Sequence, residues 1–192
     1  MECMPILDHF GWIAPYYDRL ASTPDVAMWR ELLRLPAQGR LLDAGGGTGR
    51  LSSPLAADVN QVVLADPAWK MAEQAHQKGV LSPLVCEAET LPFAPASFAR
   101  VMMVDAFHHV RDQALVAKEL LRVLEPGGRL VIVEPDIDQW GVKVVALMEK
   151  ILLMRSHFLS GQEIRALYAG SHASVELRSF RHNIILIVDA PA

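Results

Sequence analysis

The chain is predicted to be an α/β protein in which a largely parallel sheet is covered by helices on both faces. Three observations carry that expectation. Short apolar runs alternate with helix-periodic segments along the chain. Five of those runs close on an acid, at Asp43, Asp66, Glu87, Asp105 and Glu134. Between the first run and the segment after it lie four of the twelve glycines, Gly45, Gly46, Gly47 and Gly49. Runs that are apolar throughout suit strands buried on both faces.

The elements follow in order. Residues 5–20 have Ile6, Phe10, Ile13 and Tyr17 on one side of a short helix. Thr23 suits a cap and Pro24 a first position for a second helix, running through Trp29 and Leu33 and stopping near Pro36. Arg40-Leu41-Leu42-Asp43 reads as a strand leading into the glycine loop. Leu51, Leu55 and Ala56 are then spaced for a helix. Gln61 to Asp66 is a buried strand, and Pro67 opens a helix that Gly79 closes after Lys78. Leu84 to Glu87 is a third strand, residues 91–97 a loop, and Arg100 to Asp105 a fourth strand. Asp112 to Leu124 is an amphipathic helix, residues 125–128 a turn, and Arg129 to Glu134 a fifth strand. Helices over 141–157 and 162–169 precede a final hairpin of 175–180 and 184–188.

Composition narrows the function. At 192 residues the chain fits one domain with a sizeable core. A net charge of −4 and the absence of a Lys/Arg stripe argue against nucleic acid as a partner. The 52% hydrophobic share implies a deep core together with an apolar pocket or a subunit interface such as a homodimer's. The longest apolar segment, Val142 to Met154, is broken by Lys143, Glu149 and Lys150, so no transmembrane segment is expected. No cationic flank marks a signal peptide. Cys3 and Cys86 stand apart, which suits reduced thiols and a cytoplasmic protein. The four tryptophans, Trp12, Trp29, Trp69 and Trp140, read as packing residues.

The glycine loop points to a nucleotide-like ligand. Without a Cβ, the backbone takes positive φ and lets a ligand lie against it, and the following helix aims free N–H groups at it. In parallel sheets ligands bind beyond the carboxyl ends of the strands, where five acids are gathered here. That gathering favours a cation-bearing, hydroxyl-rich ligand. The dinucleotide fingerprint lacks its third glycine, because Arg50 or Ser52 stands there. The pattern present is acid-x-Gly-x-Gly-x-Gly, from Asp43 to Gly49.

Here the chain resembles the class I S-adenosylmethionine-dependent methyltransferases. Asp66 matches the family's ribose-binding acid. Glu87-Ala88-Glu89-Thr90-Leu91-Pro92-Phe93 with Ser97-Phe98 resembles the segment beside the adenine. Asp105 to Val110 resembles its "LHHV" strand end, and Leu124 to Leu130 its "LKPGGxL" turn. Ile13-Ala14-Pro15-Tyr16-Tyr17-Asp18 looks like the entry of the ubiquinone/menaquinone C-methyltransferase subgroup. The resemblance implies a doubly wound, Rossmann-like sheet of seven strands, mostly parallel with a C-terminal antiparallel hairpin strand. It divides one methyltransferase domain into a helical cap (1–36), a cofactor core (37–135) and substrate-side helices with the terminal hairpin (136–192). The implied cofactor is S-adenosylmethionine, leaving as S-adenosylhomocysteine.

The resemblance also implies roles. Gly45, Gly47 and Gly49 lie in the cofactor loop, with Gly45 and Gly47 along the amino-acid part. Asp43 faces the ammonium, Asp66 the ribose diol and Pro67 the adenine. Glu87 accepts from the adenine amino group and the Ala88 N–H meets the ring; the family has Asp where Glu87 stands, so the reach is one methylene longer. Tyr17 meets the carboxylate and the Asp105 carbonyl the ammonium. The partner is a small-molecule methyl acceptor, apolar or aromatic. If it must lose a proton, the candidate catalytic bases are His108, His109 and Tyr16. A metal is not expected. Two adjacent histidines on extended chain point apart, and Asp136 and Asp138 suit an exposed turn. The acceptor pocket is expected between the N-terminal segment and the 140–169 helices, which carry Met148, Leu152, Met154, Phe158 and Leu159. Two other readings stay open: a non-catalytic S-adenosylmethionine-binding module or partner subunit, and an NAD(P)-linked oxidoreductase.

Overall fold

The computed structural model describes residues 25–140, 142–143 and 156–192. The expected helix over 5–20 and most of the one over 141–157 lie outside them, as do Tyr16 and Tyr17. Helix α1 is Val26–Leu33. Asp25, not Thr23, caps it: its side chain accepts from the Met28 N–H at 3.0 Å. Strands β1 (Arg40–Ala44), β2 (Gln61–Asp66), β3 (Leu81–Val85), β4 (Phe98–Val104), β5 (Leu124–Pro135), β6 (Ser174–Phe180) and β7 (Asn183–Asp189) form one seven-stranded sheet. Its order is β3-β2-β1-β4-β5-β7-β6, parallel up to β5, with β7 antiparallel to both β5 and β6. Helices α2 (Trp69–Gln77), α3 (Gln113–Val123) and α4 (Gly161–Ala166) complete the elements used below.

Alternate strand residues serve opposite faces. Leu42, Ala44, Val101 and Ile132 join one core with Val116, Leu120 and Val123 of α3 and Ile164 of α4. Leu41, Leu64, Met102 and Val131 join the other with Trp29 and Leu33 of α1 and Ala75 of α2. One buried charge ties the sheet to a helix. Arg129 on β5 is 6% exposed, grips both oxygens of Asp189 on β7 at 2.7 Å, and donates to the Leu32 carbonyl of α1 at 3.1 Å. A fork meeting a carboxylate in this way satisfies both charges with directional bonds.

The structure departs from the sequence reading in several places. The segment after the glycine loop is a short 3-10 helix, Ser53–Asp58, rather than an α-helix. Pro54 withholds a backbone donor, and the few residues before Gln61 leave little length for regular helix. Strand β3 begins at Leu81 and passes through Pro83, so Glu87 falls in the loop beyond it. An edge strand tolerates the missing donor of proline. Trp29 is buried, but Trp69 and Trp140 are 66% and 80% exposed and are not packing residues.

Gly49 is a correction as well. It does not line the cleft described below; it backs onto the core. A Cβ there would lie 2.1 Å from Leu81 Cδ1 and 3.1 Å from Leu64 Cδ1, and its φ is +71°. Gly49→Ala combines left-handed strain with overpacking and should cost about 2–4 kcal/mol. Urea unfolding of the variant would read that loss as a lower midpoint. Gly79→Ala, with φ +71° but no atom within 4 Å of the added methyl, should lose clearly less. Equal losses would show that contact with Leu81 adds nothing.

Candidate cofactor cleft

Chain order places the cleft. β1 leads to β2 on one side, and β4 begins the other half of the sheet beside β1, so the loops after β1 and β4 diverge. A cavity of about 170 Å³ opens there. Its lining includes Asp43, Gly45, Gly47, Asp66, Pro67, Glu87, Ala88, Asp105 and His109. Most of the residues expected around a cofactor are therefore brought to one place.

Asp66 ends β2 and is almost fully buried. One oxygen accepts from the Gly47 N–H at 2.9 Å and the other from the Ala68 N–H at 2.8 Å. The acid thus holds the glycine loop and the start of α2 together while facing the cavity. Gly47 sits at φ +57°, and a Cβ there would meet only the Met71 sulfur, at 4.0 Å. That open space belongs to the cavity. Gly45 is needed for a different reason: a Cβ would fall 2.5 Å from the Cβ of Ala106, closing the glycine loop against the turn after β4.

Asp43 is 2% exposed, and its Oδ2 lies buried with no hydrogen-bond donor among the described residues. Burial, with Asp66 adding repulsion and the nearby Ser52 hydroxyl opposing, pushes its carboxyl up to about 7. Gly46, whose place at the cavity went unremarked in the sequence, leaves room for this acid. A Cβ there would stand 2.5 Å from Oδ2. The other acids divide the work. Asp105, in a left-handed backbone at φ 50°, faces the cavity mouth. Desolvation and Glu134 push its carboxyl upward, while water reaching this open residue moderates the effect. Glu87 lines the cavity but gives one oxygen to Arg111 at 2.8 Å, so part of its capacity is taken.

Glu134 does not join the ligand-facing edge. It turns beneath the loop after β4, where Oε1 accepts from the Ala106 and Phe107 N–H groups at 2.9 and 2.8 Å. Its Oε2 lies 2.5 Å from His108 Nδ1. The two histidines also differ from expectation. Residues 107–109 form a 3-10 turn, not extended chain, so the rings lie side by side with centroids 4.0 Å apart. His108 is buried and stacks on Phe158 at 4.3 Å, while His109 lines the cavity. Burial first, and then His108, lower His109 to about 4. Asp136 bonds the Asp138 N–H and the Gln139 amide within its own turn. Among the described residues no three His, Cys, Asp or Glu side chains converge as metal ligands, and no helix is long and apolar enough to cross a membrane. Arg50, Met71, Met103 and Ala106 also line the cavity. No sequence signal singled them out, because their places follow from the crossing of two loops.

The methyltransferase domain family matches residues 42–132. The demethylmenaquinone methyltransferase of Thermus thermophilus is 33% identical over 169 residues, covering 79% of this chain and 77% of that one. The chain belongs to the class I S-adenosylmethionine-dependent methyltransferases. The ubiquinone/menaquinone biosynthesis C-methyltransferase of Geotalea daltonii is 33% identical over 146 residues, 67% of this chain and 62% of that relative. The chain thus spans about three fifths of that relative's length. A chain from the complex between the Haloferax volcanii Trm112 methyltransferase activator and a methyltransferase superposes with a TM-score of 0.82 at 18% identity, over 98% of this chain and all of that one. That likeness shows the fold.

The residues present fit the family's cofactor. Asp43 Oδ2 is a buried acceptor in want of a cationic donor, and the space beside Gly47 suits an amino-acid moiety lying on backbone. Two predictions follow from this geometry. Asp66→Asn keeps the size and one acceptor oxygen but removes the charge. It should weaken S-adenosylmethionine binding by roughly 1.5–3 kcal/mol, the scale of charge-assisted hydrogen bonds. Calorimetry showing native affinity would take Asp66 out of the site. The second prediction concerns pH. A carboxyl raised from 3.8 to about 7 holds its proton in the folded state over that range, so the free protein loses stability as pH rises from 3.8 to about 7, and a bound ammonium would offset the loss. Affinity should therefore climb up to about pH 7 and fall again above about pH 8, where an α-amino group itself loses its proton. In Asp43→Asn the climb should be absent, and an unchanged profile would mean that another group controls it.

Proposed function

We propose that this chain transfers a methyl group from S-adenosylmethionine to a small aromatic acceptor of the hydroquinone or phenol class. The observation that carries the reading is Asp43 and Asp66 flanking the open Gly47 backbone where the sheet changes direction. The family's cofactor supplies a sulfonium-bound methyl that passes to a nucleophilic carbon or oxygen, its bonding pair staying on sulfur while the acceptor gives up one proton. Asp66 and the Ala88 N–H would hold the nucleoside, Asp43 and the Asp105 carbonyl the ammonium. Residues 37–135 would then be the cofactor half of the molecule and 136–192 the acceptor side. Alignment of donor and acceptor in such a cleft supplies about 7–11 kcal/mol of barrier lowering without a covalent enzyme intermediate.

The acceptor class is supported by the apolar residues Met103, Val104 and Val110 in the lining of the cavity that His109 shares, and by the quinone chemistry in the relatives' names. His109 is the described histidine at the cavity, so it is the base proposed here; His108 is committed to Glu134. A weak base suffices. A ring carbon that has just gained a methyl becomes strongly acidic, and a neutral imidazole does not repel the sulfonium. The test is turnover with S-adenosylmethionine against a panel of hydroquinones and phenols, with mass spectrometry of the products. A methylated hydroquinone should form at a rate that EDTA does not change. S-adenosylhomocysteine binding without any methylated product would favour a non-catalytic binding module. Loss of activity on EDTA, restored by magnesium, would place the chain among metal-dependent enzymes.

A further inference from the structure

Glu134 is the buried acid that the cofactor does not use. It is 2% exposed on β5 and receives three groups from one turn: the N–H of Ala106, the N–H of Phe107 and Nδ1 of His108. A carboxylate oxygen accepts, so Nδ1 is the donor of that pair. His108 is then clamped on three sides. Glu134 holds its edge, Phe158 covers one face with an interplanar angle of 14°, and the His109 ring lies 4.0 Å away. The His108 carbonyl also accepts from the His157 N–H at 2.7 Å, which ties the turn to the segment before α4. His109 in turn has Ser156 Oγ 3.3 Å from its Nδ1.

We propose that Glu134 is a positioning residue for the acceptor side, bracing the turn after β4 and setting the His108 ring against His109 so that His109 faces the acceptor as a neutral base. The inference rests on the reading of the cleft as a methyl-transfer site. It deepens that reading by saying what keeps the base uncharged beside a cationic donor. The charged and titratable groups around His109 among the described residues are few. His108 and Asp105 share its turn, Glu134 lies below on β5, Arg50 comes from the glycine loop, and His157 follows Ser156. Asp105 faces the same cavity, which Asp43, Asp66, Glu87 and Glu89 also line, and these acids would favour a charged imidazole. The polarised His108 ring and burial act the other way, and their direction prevails.

A titration of the imidazole resonances by NMR tests this without an acceptor. His109→Gln identifies the signal. In the native protein His109 should titrate near 4, well below the ordinary 6.5. Glu134→Gln keeps an oxygen for the two backbone donors but offers His108 an N–H in place of a carboxylate. The His109 midpoint should rise in that variant and stop short of 6.5, because burial remains. Affinity for S-adenosylhomocysteine should stay within about twofold. Glu134→Asp, which keeps the charge, should hold the midpoint low. A native midpoint at 6.5, a midpoint unmoved by Glu134→Gln, or a collapse of S-adenosylhomocysteine affinity in that variant would each overturn the inference. If Glu134→Gln does not fold, the native midpoint and Glu134→Asp decide it. Failure of the native protein to bind S-adenosylhomocysteine would instead sink the methyl-transfer reading, whatever His109 does.

Discussion

The carboxylate of Asp66 is the contact on which the cleft depends. Its two oxygens hold the N–H of Gly47 in one loop and the N–H of Ala68 at the start of the next. Without them two backbone donors at the mouth of the sheet would lose a charged acceptor, and a loop rich in glycine would gain conformational freedom. The same acid faces the cavity, so the shape of the glycine loop and the chemistry of the ligand-facing wall are set by one side chain. That coupling makes one side chain part of both the fold and the cavity wall.

The turn after β4 shows the same economy with a different acid. Glu134 lies behind the cavity wall and organises what stands in front of it. It holds Ala106 and Phe107 by their backbones, and Ala106 in turn fits against Gly45, where no Cβ intervenes. The two loops that frame the cavity therefore meet through a glycine on one side and a braced backbone on the other. A buried carboxylate is tolerable there because every contact to it is a donor.

Electrostatics then give the cavity its character. Asp43 lines it as a buried acid, and that burial, with Asp66 adding repulsion, raises its carboxyl. Burial and a neighbouring ring push His109 the other way, toward neutrality. On the proposed reading, a buried acid and a neutral imidazole would complement a ligand carrying a sulfonium and an ammonium.

The strands, the glycine loop and the acids at the strand ends were legible in the sequence because they rest on local rules: apolar runs, turn chemistry and the special freedom of glycine. From those rules and the resemblance came the α/β class and nine residues of the cavity lining. What the sequence could not assign was the direction in which each side chain turns. Glu134 and Asp105 look alike as strand-end acids, yet one braces a turn and the other faces the cavity, because β5 pairs with β7 while β4 ends at the switch point. Gly47 and Gly49 stand two residues apart in one motif, yet one opens to the ligand space and the other fits against Leu81, which arrives from β3. The histidine pair was misread for the same reason, since a 3-10 turn held by a distant glutamate brings together rings that extended chain would separate. Local pattern determined which residues stand at the carboxyl edge of the sheet. Long-range strand pairing and the buried partners it supplies decided what each of them does there.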